Sequence, residues 1–385
     1  MNSAKKILKN EGVEKKKVSS GKKNDSVSAK FKVLLAVGLV LALGFGSAVG
    51  YLELRPKTIL VVKSKDGSVS DTLVYKEAMY DIYNAESMYN MYTQMLGESY
   101  WDRENADGEG RNGSSAAKKE IMDNLKQREI LCLEAEKNGV ALTADEKKTA
   151  DENVKSATEN MTDAQKKMEG LSQSEMKQSA YRQALADKYK DQVIASLGIN
   201  EDAIKAGVSK KDNRQYTLQY YSISKKDDDG KALDAKTLKK NKDAIDAVAK
   251  KAPSAKDFTK DIITDENNDQ ADDKTGVEYG TENLISKDMD SSSFLTKKQR
   301  KEIIKMKNGQ ITGVLETDDA YYVVKMVNND DPATYNSECE QAVESEKESQ
   351  FETKYKKDIK TQYTTEVQKY WSGRVKLGGI TTSAQ

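Results

Sequence analysis

The chain has 385 residues, 63 Lys plus Arg against 63 Asp plus Glu, two cysteines and no histidine. Without histidine there is no Ser-His-Asp or Cys-His nucleophile, no imidazole general base and no His zinc ligand. The balanced charge hides an asymmetry: residues 1–32 hold ten lysines against Glu11, Glu14 and Asp25, leaving 53 basic and 60 acidic side chains beyond, an acidic body that argues against nucleic acid.

Residues 1–32, rich in Lys, Ser, Gly and Asn, read as a disordered basic tail. Residues 33–52, VLLAVGLVLALGFGSAVGYL, carry no charge. At about 1.5 Å per residue they cover about 30 Å, a bilayer's hydrocarbon thickness. The positive-inside bias then predicts a cell-membrane, single-pass protein with a cytoplasmic N-terminus and an extracytoplasmic C-terminal region. A cleaved signal peptide is the alternative, with Gly46-Ser47-Ala48 as a small-residue site.

Beyond this run, TILVVK (58–63) predicts a strand, Asp66-Gly67 a turn and residues 72–75 a return strand. Residues 76–96 predict a helix rich in Tyr and Met, with Met88, Met91 and Met95 on one face. The plain reading of these side chains is core. The sharper one is an adaptable apolar surface for unfolded chains, built from Met79, Tyr83, Met88, Tyr92 and Met95. A polar, glycine-punctuated loop (97–116) separates them from a second helix over 118–138. Thr143-x-x-Glu146 then opens a third helix, and Ser172-x-x-Glu175 another that ends at Gly198.

The pattern changes at Gln215, where QYTLQYYSIS alternates as a strand. A helix (233–251) and a shorter one carrying Phe258 and Ile262 follow. Asp265, Asn267 and Asp269 mimic the start of a calcium loop, but Gln270 and Gly276 stand where its turn glycine and bidentate Glu belong. No metal and no cofactor are expected. A strand at 277–279, a helix ending near Met306, and strands over 310–316 and 320–327 complete a small α/β unit closed by Pro332. Residues 338–371 predict one long helix, its apolar residues recurring every four positions from Phe351 to Trp371. Cys132 and Cys339 are 207 residues apart; whether they pair stays open.

Two motifs resemble known families. MDNLKQREILCLEAEKNGVALTADE (122–146) is similar to the signature of the N-terminal domain in the PrsA and SurA extracytoplasmic foldases. NGQITGVLETDDAYYVVKMVN (308–328) resembles the end of a parvulin-type peptidyl-prolyl isomerase domain. QYTLQYYSIS, APSAKDFTKDI and TGVEYG fall where that domain's opening strand, its G-x-S-F-E-E-L-A motif and its G-G-D-L-G motif should lie. Together with the charge-free run at 33–52, which departs from the lipidated cysteine common in PrsA proteins, the resemblance implies an α+β fold with a single N-terminal transmembrane helix, a mainly helical chaperone lobe formed by both chain ends, and an inserted parvulin-like α/β domain. The implied segments are a tail (1–32), an anchor (33–52), a SurA-like domain (53–208), a parvulin-like domain (209–331) and a C-terminal helix with its tail (332–385). Tyr220 and Tyr322 stand where the family places two histidines under the bound proline, so no catalytic residue is assigned.

The function so implied is a membrane-anchored, ATP-independent chaperone or foldase. Its partners would be unfolded or nascent exported polypeptides, and the membrane through 33–52. No Gly-rich phosphate loop appears, so no nucleotide is expected. An active parvulin isomerase and an envelope-assembly scaffold with one fixed partner are the alternatives.

Overall fold

Strand β1 (Thr58–Ser64), TILVVKS, opens a three-stranded antiparallel sheet. The computed structural model describes residues 57–259, 261–262, 271–272 and 275–382. β1 turns through Gly67, whose φ of +75° suits a residue without Cβ, into β2 (Ser70–Val74). Its other edge takes β8 (Tyr363–Val367), from the far end of the chain, in the order β2-β1-β8.

Helices α1 (Met79–Leu96), α2 (Gly113–Lys137), α3 (Ala144–Glu159), the single turn α4 (Asp163–Lys166) and α5 (Gln173–Ser196) follow. α3 starts on the capping box read from sequence: Thr143 Oγ accepts the Glu146 N–H at 3.2 Å, and Glu146 accepts the Thr143 N–H at 2.6 Å. Ile82, Leu125, Ile130, Leu171 and Met176 share one core with Phe351, Tyr355, Ile359, Tyr363 and Trp371 from the C-terminal part of the chain. Polar locks cross this core. Buried Arg128 on α2 reaches Asp81 on α1 at 2.9 Å and Ser179 on α5 at 3.2 Å, and buried Glu134 accepts the Tyr363 hydroxyl at 2.7 Å.

After α6 (Glu201–Gly207) comes a five-stranded sheet. Its strands are β3 (Gln215–Ser224), β4 (Ala271–Asp272), β5 (Val277–Ile285), β6 (Leu315–Glu316) and β7 (Ala320–Asp331), in the order β4-β5-β3-β7-β6. The two-residue alternation of β3 sends Tyr221 and Ile223 to one face, beneath Ile245 and Val248 of α7 (Ala235–Lys251). Tyr216, Leu218 and Tyr220 go to the other, beneath Leu295 and Ile303 of the segment containing α8 (Lys297–Ile303). Pro332 then caps α9 (Ala333–Lys354).

Three expectations are corrected. The fold is mixed α/β, with 52% helix and 17% strand, in place of the α+β class with a transmembrane helix. Among the described residues no helix is long and apolar enough to cross a membrane, which also overturns the expected single-pass membrane localisation. The span expected at 33–52, the tail at 1–32 and the residues compared with a calcium loop (265–270) lie outside the described residues. The long helix expected over 338–371 ends early: α9 gives way to a π-turn (Tyr355–Ile359) and a 3-10 turn (Lys360–Gln362), then to β8 and α10 (Lys369–Arg374). Tyr363-Thr364-Thr365 favours extended backbone, and the open edge of β1 supplies the partner that makes a strand outcompete another helical turn. Cys132 and Cys339 are both buried and unpaired with each other; burial pushes the Cys132 thiol up to about 12.

Candidate functional site: an aromatic cleft and a methionine stripe

Tyr220 on β3 lies opposite Gly280 on β5 and Val324 on β7. A Cβ at Gly280 would stand 2.4 Å from the Tyr220 ring, so the glycine lets the phenol lie flat across the sheet. Tyr322, two residues before Val324, projects on the same face. The loop before α8 adds Phe294, whose centroid is 5.0 Å from Tyr220 and 5.5 Å from Tyr322; the two tyrosines are 5.9 Å apart. The structure thus brings both sequence-predicted tyrosines together and adds a third ring. Phe294 escaped the sequence reading because it sits in the polar stretch DSSSF, where no periodicity marks it.

Phe294 and Tyr322 border a cleft of about 480 Å³ that Glu282, Asp288 and the serines 291–293 also line, with Tyr220 packed behind them. Burial raises the Tyr220 hydroxyl, helped by Glu282 and Glu278, and burial likewise raises Tyr322, helped by Tyr220 and Asp319. Glu282 is itself raised by burial, against a backbone N–H of Asn283. Both phenols therefore stay neutral at neutral pH. The cleft offers ring faces, hydroxyl donors and two carboxyl groups, with no imidazole to exchange a proton.

The α1 residues separate by helical position. Met79 is 3% exposed, packed against the turn at Gly170, where any Cβ would lie 2.7 Å from the Met79 Cβ. Tyr83 is half-buried against the core. Met88, Tyr92 and Met95 are 39%, 38% and 73% exposed, and Met91, outside the sequence-predicted set, is 58% exposed. The spacing 88, 91, 92, 95 is one helix face. Four of the five large exposed hydrophobics among the described residues are on this stripe. The opposite face of α1 is held: Ile82 and Glu86 are buried, and Tyr89 stacks on Tyr100 at 4.2 Å and donates to Glu120 at 2.5 Å. The signal that could have sorted Met79 from the rest is its helix position, one turn before Tyr83 and on the Ile82 side.

No protein-family model matches the sequence, and no curated protein matches it. Solved structures similar to this chain include PrsA/SurA-like foldases and chaperones. The foldase protein PrsA from Streptococcus pneumoniae is 16% identical, with 60% of this chain and 79% of that one covered and a TM-score of 0.25. A SurA-like chaperone structure from Campylobacter jejuni is 11% identical, covering 80% of this chain and 99% of its own, with a TM-score of 0.29. PrsA from Bacillus subtilis is 14% identical over 65% of this chain and 82% of its own, with a TM-score of 0.20. At these values the likeness gives the chain no family.

Proposed function

We propose that this chain is a chaperone or foldase that holds unfolded polypeptide segments without nucleotide. The observation that carries the reading is the Met88–Met91–Tyr92–Met95 stripe. A row of exposed, unbranched thioethers beside a ring adapts to many apolar sequences, and solvent-facing hydrophobics of this size otherwise carry a cost in solubility. The acidic excess beyond residue 32 keeps the loaded protein from self-association. The aromatic cleft adds a second, smaller contact for an apolar or prolyl side chain. In this reading residues 53–208 and 332–385 form the client-holding lobe and residues 209–331 the parvulin-like unit.

The test replaces Met88, Met91, Tyr92 and Met95 by serine, leaving buried Met79 in place. The expected result is an unchanged circular-dichroism spectrum with several-fold weaker suppression of aggregation of a denatured client. Full suppression by the folded variant would remove the stripe as the client site. The aromatic cleft favours a second reading, slow prolyl isomerisation, because rotation about the peptide bond crosses about 20 kcal/mol without a nucleophile. A protease-coupled proline-peptide assay decides it: a rate equal to that of buffer eliminates this reading.

A further inference from the structure

The buried face of α1 carries a carboxylate that neither the stripe nor the cleft uses. Glu86 is fully buried, and its partners all come from one short segment near the C-terminus. Oε1 accepts the N–H groups of Gly378, Gly379 and Ile380, each at 2.9 Å. Oε2 accepts the N–H and the hydroxyl of Thr381, each at 2.7 Å. Gln165 on α4 donates to the Thr381 carbonyl at 3.0 Å, Ser114 on α2 donates to the Leu377 carbonyl at 2.8 Å, and Asn90 donates to the Thr382 hydroxyl at 3.0 Å. Residues 377–382 form no strand and no helix; they are held as a peptide is held in a site.

The walls of that site are built without the segment. Trp101 Nε1 donates to Asn90 at 2.7 Å, the Tyr100 N–H donates to Thr93 at 3.0 Å, and Ser114 N–H donates to the Trp101 carbonyl at 3.0 Å. The Tyr89–Tyr100–Trp101 cluster locks the corner, with Tyr89 5.5 Å from Trp101 and Tyr100 5.9 Å from it. Selectivity is legible too. Gly378 has φ +117° and lies under Trp101, where a Cβ would be 3.1 Å from the indole. Position 381 needs a hydroxyl on a side chain that is fully buried. Because the segment follows the last helix, it can leave without breaking either sheet.

We propose that the hollow between α1, the Tyr100–Trp101 corner and α4 is a peptide-binding groove, occupied here by residues 377–382 of the same chain acting as a displaceable cis ligand. Its ligand class is an extended segment of two glycines, an apolar residue and a threonine or serine. This site is separate from the exposed stripe and does not depend on the chaperone reading.

The experiment uses the full chain and a fluorescently labelled peptide LGGITT, with binding read by anisotropy. The wild-type chain, whose groove is filled, is expected to bind the peptide weakly. Gly378→Ala, which crowds Trp101 and loosens the cis segment, is expected to bind at least tenfold more tightly. Adding Glu86→Gln to that variant is expected to abolish the gain, and a peptide with alanine at its first glycine is expected not to bind. A folded Gly378→Ala chain that binds no better than wild type overturns the proposal, as does binding that survives Glu86→Gln. If Gly378→Ala does not fold, Thr381→Val, which keeps the shape and removes one donor, takes its place. Failure of both to fold makes the segment a fixed part of the core and likewise overturns the proposal.

Discussion

Glu86 shows how a single side chain can be unreadable in sequence and decisive in the fold. It stands in an ordinary amphipathic run, and nothing within ten residues announces that its partners are Gly378 to Thr381. Burial works to raise its carboxyl, but the donors of Thr381, Gly378 and Gly379 outweigh burial and hold it below the usual carboxylate range. Tyr75, which burial together with Tyr370, Glu86 and Glu169 pushes up to about 12, faces the same region. The sign of the linkage follows: the folded-state value is depressed, so the stabilisation is complete above the unfolded value of about 4.3 and is lost as pH falls through the lower folded value. Acid titration followed by tryptophan fluorescence should therefore show an indole change below about pH 4, and Glu86→Gln should remove it. At neutral pH the same substitution should cost about 2 kcal/mol in urea unfolding, the scale of a charged hydrogen bond lost. Gly280→Ala tests the other site at this scale. Its Cβ would meet the Tyr220 ring at 2.4 Å, so the ring must swing off the sheet. We expect a loss of about 1–3 kcal/mol and a changed near-ultraviolet tyrosine signal. Tyr220 and Tyr322 were singled out only by their place in motifs that resemble a parvulin domain, whereas Phe294 lies in a loop that carries no period and the partners of Glu86 lie almost three hundred residues away.

Among the elements, the helices announced by Thr143 and Ser172 were readable because caps and stops are local chemistry. β8 was not, because its strand character comes from a partner at the other end of the chain. The apolar residues 351, 355, 359, 363 and 367 keep a helical spacing, yet Tyr363 and Val367 sit at the two ends of β8. The register can be tested. Lys65 N–H donates to the Gln362 carbonyl and Gln368 N–H to the Ile59 carbonyl, at 2.8 and 2.9 Å. In an antiparallel ladder hydrogen-bonded pairs alternate, so Thr364 opposite Lys63 and Glu366 opposite Val61 carry the intervening bonds. Thr365, opposite Val62, then turns its N–H to the open edge. Glu366→Pro should accordingly cost about 1–3 kcal/mol and speed hydrogen exchange at Val61 and Lys63, while Thr365→Pro should cost clearly less. Equal effects of the two prolines in denaturant and exchange measurements would mean the register is wrong.

At the scale of the molecule, the two sheets differ in how far the chain must travel to complete them. The five-stranded sheet draws both of its apolar clusters from residues between Tyr216 and Met326. The three-stranded sheet and its helices cannot close until the chain returns, because Phe351, Tyr355, Ile359, Tyr363, Trp371 and Val375 belong to that core. At about 1.5–3 kcal/mol for each large side chain buried, removing these six forfeits on the order of 10 kcal/mol, comparable with the whole stability of a domain. β1 would also lose the partner on one edge. A chain ending at residue 331 should therefore keep the five-stranded sheet and lose the other core. Limited proteolysis should leave a resistant fragment spanning roughly residues 209–331, with the helices from Met79 to Ser196 digested first. Adding residues 332–385 back as a separate polypeptide should restore protection to those helices, since the missing contacts are side-chain packing and a strand ladder, not a covalent link. In refolding of the intact chain the same geometry predicts two phases: the five-stranded sheet forms first, and the β1–β8 ladder, with the larger loop to close, forms later. Pulse-labelled hydrogen exchange at Val61, whose N–H faces β8, against Val323 measures that order, and simultaneous protection of the two would reject it.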